Sequence, residues 1–220
     1  MENIEKRHFS DEIRLLDEPN SRKIVGYAAV FGCESRDMGF TEFIDVGAFD
    51  GVLERSDVFA VLNHDPDKVL ARCNKGKGTL KLSIDERGLR YEFDAPETDL
   101  GNSVLEFVKR SELTESSFAF VVEKDNWHKE DDGHYVRHIE KIASLHDVSP
   151  CWNAAYSQTS VSCRAFDEFK EKEARELAEQ KAKEEEEARL EEERKTKEAI
   201  AQQHQKMLDE YAKYLPADNK

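Results

Sequence analysis

Residues Leu113 to Phe120 read Leu-Thr-Glu-Ser-Ser-Phe-Ala-Phe, and Val121 and Val122 extend the run. Aromatic residues alternating with small ones mark a β-strand. Side chains alternate faces along a strand. Ser116, Phe118 and Phe120 therefore share one face, and Ser117 and Ala119 share the other. Two phenylalanines make the first face the expected core. The second carries only a hydroxyl and a methyl, so a backbone or a substrate can approach it closely. Ser117 is thus a candidate exposed nucleophile. The plainer alternative is a solvent-facing serine on an amphipathic strand.

A hydroxyl nucleophile needs a base to take its proton, and the base needs an orienting group. Upstream, the apolar run Val58 to Leu62 ends in Asn63-His64-Asp65 and is broken by Pro66. That places His64 at the rim of a core, and imidazole suits general-base work near neutral pH. A turn histidine that caps the strand is the alternative. Downstream, Ile142 to Pro150 reads as another strand and contains His146 and Asp147. These two are adjacent and point to opposite faces, so only one can look into a given site.

Around these segments the chain alternates short apolar runs with turn signals. Ile13 to Leu16 reads as a first strand, and Pro19-Asn20 as a turn. Ile24 to Phe31 is apolar enough for burial on both faces, with Gly26 marking a bulge or a close backbone approach. Phe40 to Val46 reads as extended. Gly47 to Arg55 reads as a short helix from Phe49, Val52 and Leu53. Lys68 to Arg72, Gly78 to Ile84 and Leu89 to Ala95 read as strands, the last two as a hairpin with one apolar face. Asp99 to Arg110 has helical spacing at Leu100, Val104, Phe107 and Val108, with Asp99 as candidate N-cap. Asn126 to His138 reads as a polar hairpin with Asp132-Gly133 at its tip. His128, His134 and His138 fall within it. They make a metal site conceivable, but an ordinary solvated hairpin is the preferred reading.

The chain has 220 residues, enough for one core and an appendage. Its formal charge is −15, which disfavours nucleic acid, whose phosphates need basic surface, and anionic membranes. No apolar run reaches the length of a membrane span, and Met1 to Arg7 carries charge without a following apolar segment. A soluble, intracellular protein is expected. Cys33, Cys73, Cys151 and Cys163 form no C-x-x-C pair, so free thiols and no structural zinc are expected.

Four stretches together resemble the prohead (capsid-maturation) serine proteases of tailed bacteriophages, distant relatives of the herpesvirus assemblin proteases. They are Gly26-Tyr27-Ala28-Ala29-Val30-Phe31, then Leu62-Asn63-His64-Asp65, then Leu113 to Phe120. The last is Leu145-His146-Asp147-Val148-Ser149-Pro150, followed by Ala154-Ala155-Tyr156. Ala119, where glycine is common, and Cys151-Trp152-Asn153 depart from the usual pattern. The resemblance implies a serine endopeptidase with catalytic residues His64, Ser117 and Asp147, with His146 as the competing third member. It implies an α+β, mainly β fold: a small antiparallel β-barrel flanked by helices. It needs no cofactor and no metal. The implied substrates are scaffold segments, extensions of the major capsid protein, and the protease itself. The implied location is the host cytoplasm, inside the immature procapsid. Relatives with the herpesvirus-type fold often activate by dimerisation, so the resemblance leaves a homo-oligomer open.

The expected domains are residues 1–164 for the protease and 165–220 for a charged tail. From Asp167 to Lys197 the chain lacks Gly and Pro and is rich in Glu, Lys, Arg, Ala and Gln, which favours helix. Pairs such as Glu191–Lys195 add i,i+4 support. Leu177 and Leu190 are too sparse for a heptad seam, so a solvated helix or partly disordered segment is expected. Ile200, Leu208, Tyr211 and Leu215 form a modest stripe before Pro216. Two other readings compete with the protease. One is a non-catalytic, scaffold-like assembly protein. The other is a cysteine hydrolase using Cys73 or Cys151.

Overall fold

The computed structural model describes residues 3–9, 13–16, 21–35, 38–152 and 160–212, without the side chains of residues 9, 160–163, 209, 211 and 212. The expected turn at Pro19-Asn20, the Ala154 to Tyr156 part of the closing run, the side chains of Cys163 and Tyr211, and the Leu215-Pro216 end lie outside these residues. The chain divides into two compact units, Met1–Phe166 and Asp167–Lys220.

The first unit holds strands β1 (Ile4–Phe9), β2 (Arg14–Leu15), β3 (Lys23–Val30), β4 (Thr41–Ile44), β5 (Asp57–Val61), β6 (Val69–Asn74), β7 (Lys77–Gly78), β8 (Lys81–Ile84), β9 (Gly88–Asp94), β10 (Glu115–Lys129) and β11 (Tyr135–Cys151). A 3₁₀ turn, Leu62–His64, follows β5, and helix α1 (Asp99–Lys109) precedes β10. One sheet runs β1-β10-β11-β5-β6-β7, with β4 also on β11. The other runs β2-β3-β9-β8. The fold is thus mainly β, but the strands form two sheets instead of closing into the expected barrel. Nor is the pairing wholly antiparallel. β11 is long enough to take β4 and β5 in parallel at its two ends.

Phe118 and Phe120 stack at 4.5 Å in the core between the sheets, among Ile24, Leu89, Tyr91, Phe93 and Val148. β3 is buried on both faces over most of its length, as its continuous apolar run implies. The β8–β9 hairpin pairs Leu82 with Tyr91 and Ile84 with Leu89, uniting its apolar face.

Two local expectations fail for visible reasons. Residues 47–55 form successive tight turns, not a helix. Gly47 and Gly51 adopt φ of 95° and 66°, a left-handed geometry that breaks a right-handed helix at each point. Helix α1 is capped by Thr98, whose hydroxyl accepts from the Gly101 N–H at 3.2 Å, while Asp99 is the first helical residue.

Gly26 is a close approach. A Cβ there would lie 2.5 Å from Tyr91 Oη and 2.6 Å from its ring. Tyr91 has no room to retreat, being fully buried, stacked on Phe93 and bonded to Ser116 Oγ at 2.9 Å. Gly26→Ala is therefore expected to cost about 1–3 kcal/mol by overpacking, read as a lower urea midpoint at unchanged slope.

One strand had no counterpart in the sequence reading. β1 pairs along β10 from Ile4↔Val121 to Phe9↔Ser116. Its Glu5 and Arg7 are buried with Glu42 of β4 and Arg137 of β11. Arg7 contacts both glutamates, and Arg137 reaches Glu5 at 2.8 Å and Glu42 at 2.9 Å. The cluster staples the N-terminal strand to the middle of the sheet.

The second unit continues helix α2 (Ser160–Ala212). It is polar all round. Leu177, Leu190, Ile200 and Leu208 are each at least half exposed. Ion pairs at i,i+3 and i,i+4 line its surface, including Glu186–Arg189, Glu191–Lys195 and Glu193–Lys197. No helix of the described residues is long and apolar enough to cross a membrane.

Candidate active site

Register brings the site together. In the β10–β11 pair, Ser117 faces Ser149 and Ala119 faces Asp147. In the β1–β10 pair, His8 faces Ser117. Paired residues project to the same side. One sheet face thus presents His8, Ser117, Asp147 and Ser149, while Phe118, Phe120 and Val148 point into the core.

His64 reaches this face from the Leu62–His64 turn. Asn63 and His64 both have φ of 55°, and two consecutive left-handed non-glycine residues store strain. Asn is among the residues that tolerate this region best. Its side-chain Oδ1 also accepts from the Trp152 N–H at 3.1 Å, tying the turn to the end of β11. Trp152 packs edge-on against Phe107 of α1 at 5.2 Å.

The result is a hydrogen-bonded line. His64 Nε2 lies 2.6 Å from Ser117 Oγ, and His64 Nδ1 lies 2.7 Å from Asp147 Oδ1. Ser149 Oγ donates to the same Asp147 oxygen at 2.7 Å and sits 3.2 Å from His64 Nδ1. An ionised carboxylate only accepts, so this contact places the imidazole proton on Nδ1 and turns the Nε2 lone pair toward Ser117. Ser117 Oγ also lies 2.7 Å from the Arg7 carbonyl oxygen. One hydroxyl proton serves either acceptor, His64 Nε2 or Arg7 O, but not both at once.

Of the two acidic-strand candidates, Asp147 is the residue at His64. His146 bonds through Nε2 to Ser144 Oγ at 3.0 Å. Ser116 faces the core, on Tyr91. One expectation needs correcting: Ser117 is 0% solvent-exposed, not an open surface serine. β10 lies inside the sheet, flanked by β1 and β11, and the Leu62–His64 turn covers its second face. Asn63, Ser149 and His8 were not singled out from sequence. Ser149 was legible in principle, because it shares strand parity with Asp147 two residues away. His8 was not, because β1 was not recognised as a strand.

His8 packs edge-on against His64 with ring centres 5.7 Å apart, and Cys151 Sγ lies 3.5 Å from His8 Nδ1. Cys73 and Cys151 are both buried. The hairpin histidines go to separate partners. His134 Nε2 meets Thr41 Oγ1 at 2.8 Å, and His138 Nδ1 meets Asp45 Oδ1 at 2.8 Å while stacking on His128. Among the described residues no three His, Cys, Asp or Glu side chains converge as a metal site.

The family profile described as caudovirus prohead serine protease matches residues 10–172. The chain belongs to that family. The matched residues include all four of the stretches that resembled these enzymes. Among solved structures, the chain is similar to the bacteriophage T4 capsid assembly protease, at 10% identity and a TM-score of 0.45, over 68% of this chain and 98% of that one. No curated protein matches the chain.

Proposed function

We propose that this chain is a serine endopeptidase of procapsid maturation that works through an acyl-enzyme on Ser117. The observation that carries the reading is the line Ser117 Oγ–His64 Nε2–His64 Nδ1–Asp147 Oδ1, with contacts of 2.6 and 2.7 Å. It also favours an enzyme over the non-catalytic assembly protein, for which no such alignment is needed. His64 turns Nε2 to Ser117 Oγ and Nδ1 to Asp147, which favours serine over cysteine chemistry.

In this mechanism His64 Nε2 takes the Ser117 proton as Oγ attacks the peptide carbonyl carbon. The tetrahedral intermediate collapses with cleavage of the C–N bond, and His64 returns the proton to the leaving amine. Water then repeats the sequence on the acyl ester, releasing the acid and restoring Ser117. Asp147 keeps the imidazole in the productive tautomer and stabilises the imidazolium, and Ser149 holds Asp147 in place. Because Ser117 is shielded from solvent, a peptide carbonyl reaches Oγ only when part of that shield moves. The proposed substrates are scaffold segments, capsid-protein extensions and the chain itself, cleaved inside the immature shell. The charged α2 segment is the proposed site of self-trimming.

The test is a gel and intact-mass time course of purified protein beside Ser117→Ala and Ser116→Ala. The parent and Ser116→Ala are expected to shorten themselves within the tail, while Ser117→Ala stays whole. If all three stay whole, the comparison is repeated with capsid and scaffold protein. Absence of Ser117-dependent cleavage there would return the reading to an assembly protein.

A further inference from the structure

The face that carries Ser117 and Asp147 continues sideways into a pocket. Asp147 of β11 pairs with Phe59 of β5, and Val61 of β5 pairs with Val69 of β6. Phe59, Val61 and Val69, with Pro66 from the following loop, line a cavity of about 280 Å³. His64 and Asp147 form its inner wall.

The polar groups that line it each have a partner within the protein. Asp57 holds Arg72 through two contacts of 2.8 and 2.5 Å. Asp147 accepts from His64 and Ser149, and His146 contacts Ser144. Four of its lining residues, Phe59, Val61, Pro66 and Val69, offer an occupant apolar surface, and Val69 is 43% exposed.

The pocket's position defines what can cover it. One wall is the imidazole that must protonate the leaving amine. An extended peptide advances about 3.3 Å per residue and turns alternate side chains to the same side. A side chain lying against His64 and Asp147 therefore belongs to a residue within about three positions of the scissile bond. Its entry would also exclude water from the His64–Asp147 contact, which strengthens that contact.

We propose that this pocket is a substrate subsite for one bulky apolar side chain (Leu, Ile, Met or Phe) at a fixed position from the cleaved bond. The inference rests on the endopeptidase reading above.

The test uses the full chain, a mixture of peptides of diverse sequence, and mass-spectrometric mapping of the new termini, with Ser117→Ala as background. The parent is expected to cut with a bulky apolar residue enriched at one position. Val69→Asp places a carboxylate at the pocket mouth, on a site exposed enough to accept it. It is expected to reduce the apolar preference about tenfold or more and to raise Lys and Arg at that same position. Its urea midpoint, measured alongside, shows that the variant is folded. Phe59→Ala, which enlarges the floor, is expected to shift the preference toward larger side chains. Ser117-dependent cleavage without a fixed apolar position overturns the subsite and leaves the protease reading intact. So does an identical preference in parent and folded Val69→Asp. No Ser117-dependent cleavage of the peptides, nor of capsid and scaffold protein, overturns both.

Discussion

Asp147→Asn is expected to slow Ser117-dependent peptide cleavage on the order of 10⁴-fold while leaving the fold in place. The carboxylate can only accept, so it holds the proton on His64 Nδ1. An amide at the same point can donate through its nitrogen. It then stabilises the other tautomer, with the proton on Nε2 aimed at Ser117 and no lone pair there to receive one. Ser149 reinforces the native arrangement, because its hydroxyl donates to the Asp147 oxygen that also meets the imidazole. The measurement is the initial rate on a peptide that the parent cleaves, with near-ultraviolet circular dichroism as the check on packing. A rate lowered with unchanged packing is the expected pair of results. If His146→Asn abolished the rate and Asp147→Asn did not, the orienting role would pass to His146.

The second large effect concerns stability. Arg137→Met is expected to destabilise the protein by about 3–5 kcal/mol, lowering the thermal midpoint by roughly 10 °C. Arg137 is buried and serves Glu5, Glu42 and Asp125 at 2.7 to 3.1 Å. Removing it leaves two buried carboxylates facing the single cation of Arg7. The charge so stranded costs more than the intact pair contributed. Burial alone would raise the Glu5 pKa, but Arg7 and Arg137 outweigh it and hold the carboxyl below its ordinary value of 4.5. A carboxyl depressed in the folded state adds stability that is complete above its unfolded value. That stability is lost as pH falls through the lower folded value. The parent should therefore lose stability from about pH 4.5 downward, and Glu5→Gln should flatten that part of the profile. Urea midpoints across pH 2 to 7 measure both.

The two effects meet in β1. Its core side carries Glu5 and Arg7, and its other side carries His8 next to Ser117. A loosened cluster should therefore disturb catalysis through the strand that borders the nucleophile. Arg137→Met thus should reduce cleavage as well as stability, whereas Asp147→Asn should reduce cleavage alone.

Much of the site was legible along the chain because strand parity is a local property. The alternation Ser116, Ser117, Phe118, Ala119, Phe120 was enough to separate the core face from the face that carries Ser117. The same rule separates His146 from Asp147, but it does not say which of them meets His64. That choice depends on the register Ala119↔Asp147 and on the parallel pairing of β11 with β5. Both are set by contacts between residues far apart in sequence. The helix expected at residues 47–55 failed because periodicity ignored two left-handed glycines. β1 escaped notice because Glu5 and Arg7, charged residues, occupy its core side. A pattern search reads charge as exposure, whereas here the partners that neutralise them, Glu42 and Arg137, come from distant strands. Sequence by itself determined the strand-rich composition of residues 13–150, the helical character of the tail and the candidate residues for the proposed chemistry. Tertiary structure alone decided that β1 completes the sheet, that Ser117 is shielded, and that an apolar pocket opens beside His64. The physical reason is the same in each case: local sequence sets which face a side chain takes, and long-range pairing sets what that face meets.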